Sequence, residues 1–492
     1  MTLDADAAYQ ALAARDARFD GRLFVGVTST GVYCRPICRV RTPQRRNCRF
    51  FETPAQAEAA AFRPCLKCRP EIAPGAGLPW SVMDASRTLA RQAAQELNAQ
   101  AASGEAASLA ALAARLGVSD RHLRRIFAAE QGVTPMQYLQ TRRLLLAKQL
   151  LTDSAMPVAQ VALAAGFSSL RRFNAAFAEH YRMSPSRLRG ATERETREGD
   201  APDAVTITLA YRAPLDHATL LRFLAQRAIP GIEAVDTLSV RRSLRAGALA
   251  EAPGWVEAIF DPARERVQLR FAPALASASA RVAAAARRWL DLDAAPAHID
   301  AALAELPGAP GIRLPGSLDA FELAVRAVLG QQVTVAAART LASRLVQRFG
   351  AAAATPWPEV TQQFPAPERL AVAGLADIAG LGIVRQRAAA LIALADAWPG
   401  LETLMTPAVA PEEFIAALCE LPGIGPWTAH YIAMRALGWP DAFPPNDVAV
   451  LKAMQRLFGT THQRSADERA QTWRPWRAYA VLRLWNSLET SA

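Results

Sequence analysis

Cysteine placement limits what the first part of the chain can fold into. Five of the six cysteines lie within the first 68 residues, and four of them form two close pairs, Cys34 with Cys38 and Cys65 with Cys68. The spacings C-x3-C and C-x2-C can complete a tetrahedral four-thiolate site, which suits zinc. The clustering favours metal over disulfides. The pattern leaves two interpretations open, a purely structural zinc site and a zinc site with added chemistry.

Length and charge indicate a multidomain protein that binds a polyanion. The 492 residues predict three or four folded units. Residues 1–190 hold 26 Lys and Arg against 14 Asp and Glu, whereas the remaining residues hold 30 against 31. Such a basic N-terminal part suggests a polyanionic partner, although a solvated basic surface gives the same count. No uncharged apolar run is long enough to span a membrane and the first residues are acidic, so we expect a cytoplasmic protein without a membrane partner.

Three segments around the cysteines resemble a known domain. YCRPIC, NCRFF and FRPCLKCRPE look like the methyl-phosphotriester-accepting zinc domain of Ada-type alkylation-response proteins. The resemblance implies a small α+β domain over residues 1–78, one Zn²⁺ on the four paired cysteines, and Cys34 as the irreversible methyl acceptor. Zinc keeps such a thiol deprotonated and nucleophilic. Methylation removes one negative charge from the centre, which favours DNA binding. Cys48 falls outside both pairs and is predicted to be a plain thiol.

Residues 79–190 contain a repeated helix-turn-helix pattern. SLAALAARLGVSDRHLRRIF has Gly117 in its turn and Ser119 as the predicted cap of its second helix, and VAQVALAAGFSSLRRFNAAF repeats this with Gly166 and Ser168. The repeat resembles the AraC-type regulator domain, an all-α fold that lays two recognition helices into successive major grooves. The residues that this resemblance places at DNA are Arg121, His122, Arg124 and Arg125 on the first recognition helix and Arg171, Arg172 and Asn174 on the second.

The rest of the chain begins with a charged linker. Residues 191–203 lack an apolar pattern, and residues 204–292 mix strand-like alternation with helical spacing, which predicts a small α+β domain. Residues 293–492 are helical in pattern. Within them LPGIGPWTAHYIAMRA sets Gly423 and Gly425 before Pro426, which predicts a tight turn that opens into a helix and faces an anion.

A second family resemblance covers residues 204–492. The glycine turn, FPPNDVAVLKAM and IRLPGSLDAFELAVRAVLGQQVTVAAA look like 3-methyladenine DNA glycosylase II of the helix-hairpin-helix superfamily. The resemblance implies that the turn binds DNA phosphate and that Asp447 stabilises the electron-poor sugar. Gln332 stands where the family inserts an apolar wedge into the duplex, and this departure leaves a side chain that can still fill the gap left by a flipped base. The residues matching the family's aromatic base pocket are Trp427, Tyr431 and Trp485. Simpler alternatives remain, with Asp447 as only a helix cap and the aromatic residues as core.

Two absences narrow the expected chemistry. No lysine lies in residues 418–430, and Trp427 stands where strand-cleaving relatives carry theirs, so a monofunctional enzyme that leaves an abasic site is expected. Cys419 is the only cysteine after Cys68, which excludes the iron–sulfur cluster of some relatives. Relatives bind a monovalent cation at the hairpin. By this resemblance the carbonyl oxygens of Cys419, Leu421 and Gly423 are the candidate ligands for such a cation.

Together these expectations describe a mainly α, multidomain protein of the DNA alkylation response. It is expected to release alkylated bases such as 3-methyladenine by hydrolysis, to accept methyl groups on a cysteine and to regulate transcription. The expected partners are alkylated and operator double-stranded DNA and RNA polymerase, and the chain is expected to be a monomer. The alternative is a transcription regulator whose glycosylase half only scans DNA.

Overall fold

The computed structural model describes residues 4–75, 85–103, 108–192, 204–406, 409–460 and 462–489. The chain divides into two compact units, Met1–Arg212 with Pro262–Ala284, and Ala213–Asp261 with Ala285–Ala492. Helices predominate in both, which confirms the predicted mainly α class. No helix in these ranges combines the length and the apolar content that crossing a bilayer requires.

A small four-stranded sheet opens the first unit. Its strand order is β3-β1-β2-β4, with β1 antiparallel to β2 and β3, and β4 parallel to β2. Val25 and Phe24 are neighbours in β1 and enter two different core clusters, because successive strand residues point to opposite faces. The elements of this part are α1 (Ala5–Ala13), β1 (Phe24–Val27), β2 (Val32–Cys34), β3 (Cys48–Phe51), α2 (Pro54–Ala59) and β4 (Arg63–Pro64).

Seven helices continue the first unit. α3 packs against α5 and α6, with Leu97, Leu112 and Phe127 in their shared core. Gly117 and Gly166 have φ of 68° and 78° in the two helix-turn-helix turns, as the repeat predicts. The helices are α3 (Ala85–Ser103), α4 (Leu109–Arg115), α5 (Asp120–Gln131), α6 (Pro135–Asp153), α7 (Val158–Ala164), α8 (Leu170–Tyr181) and α9 (Pro185–Thr192).

The two recognition helices start on serine caps, one of which differs from the prediction. Ser119 Oγ accepts the backbone N–H of His122 at 3.2 Å and caps α5. In the second motif the prediction of Ser168 is wrong. Because α8 begins one residue later than predicted, Ser169 Oγ accepts the N–H of Arg172 at 3.2 Å and caps that helix.

Five strands and two helices lie between residues 204 and 290. Within the first unit β5 pairs antiparallel with β9, and within the second unit β7 pairs antiparallel with β6 and β8. α11 begins in the first unit and ends in the second. The elements are β5 (Val205–Ala210), α10 (His217–Arg227), β6 (Glu233–Val235), β7 (Ser239–Leu244), β8 (Gly254–Asp261), β9 (Arg266–Phe271) and α11 (Ser279–Trp289).

The remainder of the second unit is almost wholly helical. α13 packs against α17 and the hairpin helix α19, and α20 packs against α22. The elements are α12 (Pro296–Ala302), α13 (Ala320–Leu329), α14 (Val335–Phe349), β10 (Ala351–Ala352), β11 (Gln362–Gln363), α15 (Pro367–Ala371), α16 (Leu375–Ala379), α17 (Arg385–Thr403), α18 (Pro411–Cys419), α19 (Pro426–Ala436), α20 (Val448–Phe458), α21 (Gln463–Ala470) and α22 (Arg477–Glu489).

Candidate metal centre and active site

Four thiols meet in the first unit. Cys34 ends β2 and Cys38 lies four residues later, while Cys65 and Cys68 follow β4. The four Sγ atoms all lie within 4.8 Å of one another. A tetrahedral zinc site with Zn–S distances of about 2.3 Å needs sulfur atoms about 3.8 Å apart. The four sulfur atoms therefore lie close enough together for one Zn²⁺ to bind all of them.

The electrostatics of these thiols also favour a bound cation. Hydrogen bonds with Cys38 and Cys65 raise the pKa of Cys34 well above its ordinary value, because closely spaced thiols resist joint deprotonation. The charge of a bound Zn²⁺ reverses this and deprotonates coordinating thiols. Cys48 stands apart, since it is buried and its Sγ donates to the carbonyl of Gln44 at 3.4 Å.

A buried cluster of hydroxyl and carboxyl groups adjoins the metal centre. Tyr33, which precedes Cys34, donates its hydroxyl to Glu58 Oε1 at 3.0 Å, and Thr141 of α6 donates to Glu58 Oε2 at 3.0 Å. Burial raises the pKa of Glu58 to about 8, and the two hydroxyls and Lys148 offset this only in part. Glu58 therefore holds its proton at neutral pH and links the zinc-binding part to α6.

A second buried cluster joins the segment after the last cysteine to the same helix. Lys148 Nζ lies 2.5 Å from Glu71 Oε2, and Arg69 Nη2 lies 2.6 Å from Asp153 Oδ1. Burial by itself raises the pKa of Glu71, but Lys148 and Arg69 outweigh it and lower the pKa below its ordinary value. Ionised Glu71 and the protonated Glu58 cluster both fasten the zinc-binding part to α6.

The predicted DNA-contacting side chains lie on the solvent side of α5 and α8. Both helices bury apolar residues, such as Leu123 and Phe173, on the opposite side. Asp120 pairs with one of the arginines at 3.0 Å within α5. Six of the predicted residues are exposed and His122 is half-buried; the exposed ones are Arg121, Arg124, Arg125, Arg171, Arg172 and Asn174. This placement suits a DNA-reading helix, and the contacts themselves stay a prediction.

The glycine turn has the predicted backbone form. Gly423 has a φ of 83°, and a Cβ at this position would lie 2.9 Å from Ala390 Cβ. Both the left-handed conformation and the close approach therefore require glycine. Gly425 is the N-cap of α19 and Pro426 is its first residue. The first N–H groups of α19 open from an exposed turn, where an anion is favoured.

A neighbouring loop is tied to this turn. Gln331 Nε2 donates to the carbonyl of Gly423 at 2.9 Å and to Thr428 Oγ1 at 3.0 Å. The next residue, Gln332, is exposed with a φ of 53°. Of the carbonyls predicted to bind a cation, that of Gly423 thus already accepts one hydrogen bond, and that of Leu421 accepts the N–H of Ile424 at 3.2 Å. Cation binding stays a prediction.

Asp447 combines a helix cap with two further hydrogen bonds. The residue is 6% exposed, and its Oδ1 accepts the N–H of Val450 at 2.8 Å, so it caps α20 as the simpler alternative expects. In addition, Trp427 Nε1 donates to Oδ2 at 2.8 Å and Trp485 Nε1 donates to Oδ1 at 3.2 Å. A carboxylate offers about four acceptor sites. Three donors therefore leave one site, on Oδ2, for a water or a substrate.

The three predicted pocket residues lie together over this carboxylate. The rings of Trp427 and Tyr431 stack with centroids 5.3 Å apart and planes 7° apart, and the centroids of Tyr431 and Trp485 lie 6.2 Å apart at 44°. Two rings must lie about 7 Å apart to hold a base between them. No base therefore fits between the stacked rings of Trp427 and Tyr431 in this structure.

Sequence reasoning missed Arg435, which supports the aromatic group. Its Nη1 donates to Tyr431 Oη at 2.8 Å. Burial by itself raises the pKa of Tyr431, but Arg435 and Arg227 outweigh it and lower the pKa below its ordinary value. Trp427, Tyr431 and Arg435 are spaced at i, i+4 and i+8 on α19, so helical periodicity was the signal that could have revealed the third residue.

Comparison with known families divides the chain into four parts. The model of the metal binding domain of Ada matches residues 7–71, and a helix-turn-helix domain model matches 112–191. The AlkA N-terminal domain model matches 206–319, and the model of the HhH-GPD superfamily base excision DNA repair protein matches 325–478. Together with the four-thiol geometry, the first match confirms the predicted zinc centre.

Similar proteins include one that matches nearly end to end. A Mycobacterium tuberculosis protein, "Probable bifunctional transcriptional activator/DNA repair enzyme AlkA", is 37% identical over 504 residues, or 99% of this chain and 97% of its own length. Escherichia coli "DNA-3-methyladenine glycosylase 2" is 39% identical over 279 residues, 56% of this chain and 96% of its own length. Escherichia coli "Bifunctional transcriptional activator/DNA repair enzyme Ada" is 32% identical over 205 residues, 42% of this chain and 52% of its own length. The order of parts and the end-to-end likeness show that this chain belongs to the family of the Mycobacterium tuberculosis protein, in which an Ada-type metal-binding and helix-turn-helix half is fused to an AlkA-type half.

Proposed function

We propose that the chain is a monofunctional DNA-3-methyladenine glycosylase fused to a methyl-phosphotriester sensor and transcription regulator. The observation that carries the glycosylase activity is the buried Asp447 carboxylate, enclosed by aromatic rings beside a helix-hairpin-helix turn. The names of the relatives describe repair and activator activities of the same kinds. The proposed domains are 1–78 for the sensor, 79–190 for the regulator, 191–203 as a linker, 204–292 as the glycosylase's α+β domain and 293–492 as its catalytic domain.

In the proposed reaction a purine alkylated at N3 or N7 leaves as a neutral base. The nucleotide is flipped out of the duplex, the C1′–N bond breaks, and its electron pair goes to the cationic base. Asp447 stabilises the positive charge that develops on C1′, because it is a fixed carboxylate in a site with little water. Water adds to C1′, its proton passes to the open acceptor site on Asp447 Oδ2, and an abasic site remains.

The aromatic group selects the base by its charge and shape. Trp427, Tyr431 and Trp485 offer π faces, which attract a cationic purine. Such stacking reads no base edge, so several alkylated bases are accepted. The rings of Trp427 and Tyr431 stack on each other, so the base stacks on a ring face outside this pair.

The duplex is held by the turn and its neighbouring loop. Backbone N–H groups after Gly423 and Gly425 bind a DNA phosphate, and Gln332 occupies the gap that the flipped nucleotide leaves. A monovalent cation on the hairpin carbonyls adds positive charge at the same place. Double-stranded DNA is accordingly the partner of both halves, with alkylated DNA at this site and operator DNA at the arginines of α5 and α8.

Replacing Asp447 with Asn tests the glycosylase assignment. Asn is as good an N-cap as Asp, so Asp447→Asn keeps the helix start and removes the charge. We expect single-turnover release of 3-methyladenine from alkylated duplex, measured per folded molecule, to fall about 100-fold or more. The thermal transition is expected to fall as well, because the amide nitrogen of Asn replaces the oxygen that accepts the indole N–H of Trp427. Asp216→Asn is the matched control, since Asp216 caps α10 by accepting the N–H of Thr219. Full activity in Asp447→Asn would refute the assignment.

At the metal centre we assign methyl acceptance to Cys34. Its sulfur attacks the methyl carbon of a phosphotriester, so that an S–C bond forms while the C–O bond breaks and a negatively charged phosphodiester leaves. The backbone N–H of Arg35 donates to Cys68 Sγ at 3.3 Å, whereas within the described ranges no backbone N–H donates to Cys34 Sγ. Cys34 therefore keeps more electron density than Cys68. Zn²⁺ on the four cysteines supplies the charge that keeps the sulfur deprotonated.

Mass spectrometry of zinc-loaded protein tests this transfer. After incubation with methylated DNA we expect one added methyl group on the peptide that contains Cys34. Cys48→Ser is the matched control and keeps the transfer, because Cys48 lies outside the metal group. A methyl group found on another cysteine in wild-type protein would overturn the assignment.

The regulatory half is proposed to act as a monomer that contacts RNA polymerase at an operator. The exposed arginines of α5 and α8 are its reading surface. The stacking of Trp427 on Tyr431, which leaves no space for a base between these two rings, favours one alternative, a regulator whose glycosylase half only scans DNA. The two differ in the assay already described, because a scanning protein binds alkylated duplex and releases no base in a single turnover.

A further inference from the structure

Arg435 is a buried cation whose hydrogen-bond partners are neutral oxygens. The residue is 7% exposed, and among the described residues no carboxylate oxygen lies within 4.0 Å of its guanidinium nitrogens. Its Nε donates to the carbonyl of Pro315 at 2.8 Å, and its Nη2 donates to the carbonyl of Gly316 at 3.3 Å. A buried guanidinium that is held only by neutral oxygens is costly. A feature of this kind invites a functional explanation.

The remaining partner of this cation is the hydroxyl of Tyr431. Arg435 Nη1 donates to Tyr431 Oη at 2.8 Å, and the guanidinium carbon also lies 5.6 Å from the centre of the Tyr431 ring. The guanidinium carbon also lies 4.9 Å from the centre of the Phe223 ring. The three donor nitrogens thus fix Tyr431 relative to the loop at residues 315–316.

The contacts continue from Tyr431 to the carboxylate. Trp427 lies one helical turn before Tyr431 and stacks on its ring in nearly parallel planes, and the indole N–H of Trp427 donates to Asp447 Oδ2. Arg435, Tyr431 and Trp427 therefore form a continuous row along α19 that ends at Asp447. A fixed supporting row matters for catalysis, because a displacement of about 1 Å at a reacting group costs about 100-fold in rate.

We propose that Arg435 is a positioning residue of the glycosylase site, which acts through the Tyr431 hydroxyl to hold the Trp427 indole against Asp447. The inference rests on the proposed glycosylase function. It requires that removing the Arg435 guanidinium and removing the Tyr431 hydroxyl lower the rate of base release by the same factor, because both changes break the same hydrogen bond.

A double-mutant cycle on the full-length, zinc-loaded protein tests this role. The variants are Arg435→Met, Tyr431→Phe and the combination, and the readout is the single-turnover rate of 3-methyladenine release per folded molecule. We expect each single variant to lose about tenfold in rate and the double variant to lose no more than a single one, because residues that act through one contact are not additive. Affinity for undamaged duplex is expected to stay within about twofold.

Controls separate positioning from a general loss of structure. Arg313→Met removes another buried arginine that donates to loop carbonyls, those of Pro214, Gly311 and Ile312, and is expected to keep the wild-type rate per folded molecule. If Arg435→Met does not fold, Arg435→Lys replaces it in the cycle, because lysine keeps the charge and lacks the planar fork.

The outcomes distinguish this inference from the proposed function. A double variant whose loss equals the product of the two single losses would overturn the inference, as would a wild-type rate in the arginine variant. In both cases the glycosylase assignment would still hold, because the wild-type protein releases base. Wild-type protein that releases no base from alkylated duplex would overturn the glycosylase assignment and the inference with it.

Discussion

The protonated carboxyl of Glu58 gives the first unit a defined dependence on pH. Burial raises its pKa from the ordinary value of 4.5 to about 8 in the folded protein. The groups that face it are the hydroxyls of Tyr33 and Thr141 and, through its charge, Lys148. Because the folded state binds the proton more tightly than the unfolded chain, Glu58 contributes stability fully below pH 4.5. That contribution is lost as the pH rises through 8.

The size of the effect follows from the two pKa values. Between pH 5 and pH 8 the linkage relation gives a loss of about 3.5 kcal/mol in the free energy of unfolding. For a unit of this length, such a change moves the thermal midpoint by roughly 10 °C. Glu58→Gln removes the titration and keeps the shape, since an amide still accepts from the Tyr33 hydroxyl.

Scanning calorimetry of both zinc-loaded proteins from pH 5 to pH 8 measures the difference. Other titrating groups are common to the two proteins, so their contributions cancel in the comparison. We expect the midpoint of Glu58→Gln to rise relative to wild type as the pH increases, with the larger gap at pH 8. Midpoints that stay parallel over this range would show that Glu58 is ionised in the folded protein, which refutes the reasoning.

Three further outcomes follow from the contacts of the two sites. Lys148→Met leaves the buried Glu71 carboxylate without its lysine partner. We expect this change to lower the free energy of unfolding, measured with urea, by about 3–5 kcal/mol. Adding Glu71→Gln to this variant should restore most of the lost free energy. Removing zinc with a chelator is expected to unfold the N-terminal sheet, seen as lost far-ultraviolet circular dichroism, and to abolish methyl transfer while base release continues. Trp427→Phe and Trp485→Phe each keep an aromatic ring but remove an indole N–H that donates to Asp447. The rate of base release should therefore fall about tenfold or more. Trp439→Phe, which alters a tryptophan outside that group, should release base at the wild-type rate.

The features that local sequence spacing determines were predictable. Cys34 and Cys38, like Cys65 and Cys68, are near neighbours in the chain, so the metal site needed only two pairs to meet. The turn at Gly423 and the helix start after Asp447 are also local, because the backbone conformation of one residue and the capping of one helix decide them. The serine cap of α8 shows where such reasoning ends. Two adjacent serines could each cap this helix, and the prediction chose Ser168 where the structure has Ser169.

The features that depend on tertiary packing were not predictable. Trp485 is 38 residues from Asp447 in sequence, and its indole reaches the carboxylate only because α22 packs on α20. The buried charges around α6 gave no signal either, since Lys148 and Glu71 are 77 positions apart and look like ordinary surface residues in the sequence. Lys148 and Glu71 are buried because α6 packs against the zinc-binding segment, and the sequence does not show which helix does so.

The position of α6 also bears on how this protein can be taken apart or recombined. One helix supplies polar partners both to Glu58 and to the pair of charges that follows the last cysteine. A methyl sensor grafted onto a foreign reader would bring Glu58 and Glu71 without the hydroxyl of Thr141 and the ammonium group of Lys148 that α6 provides to them. Sensor and reader are thus best exchanged among proteins together, as one cassette.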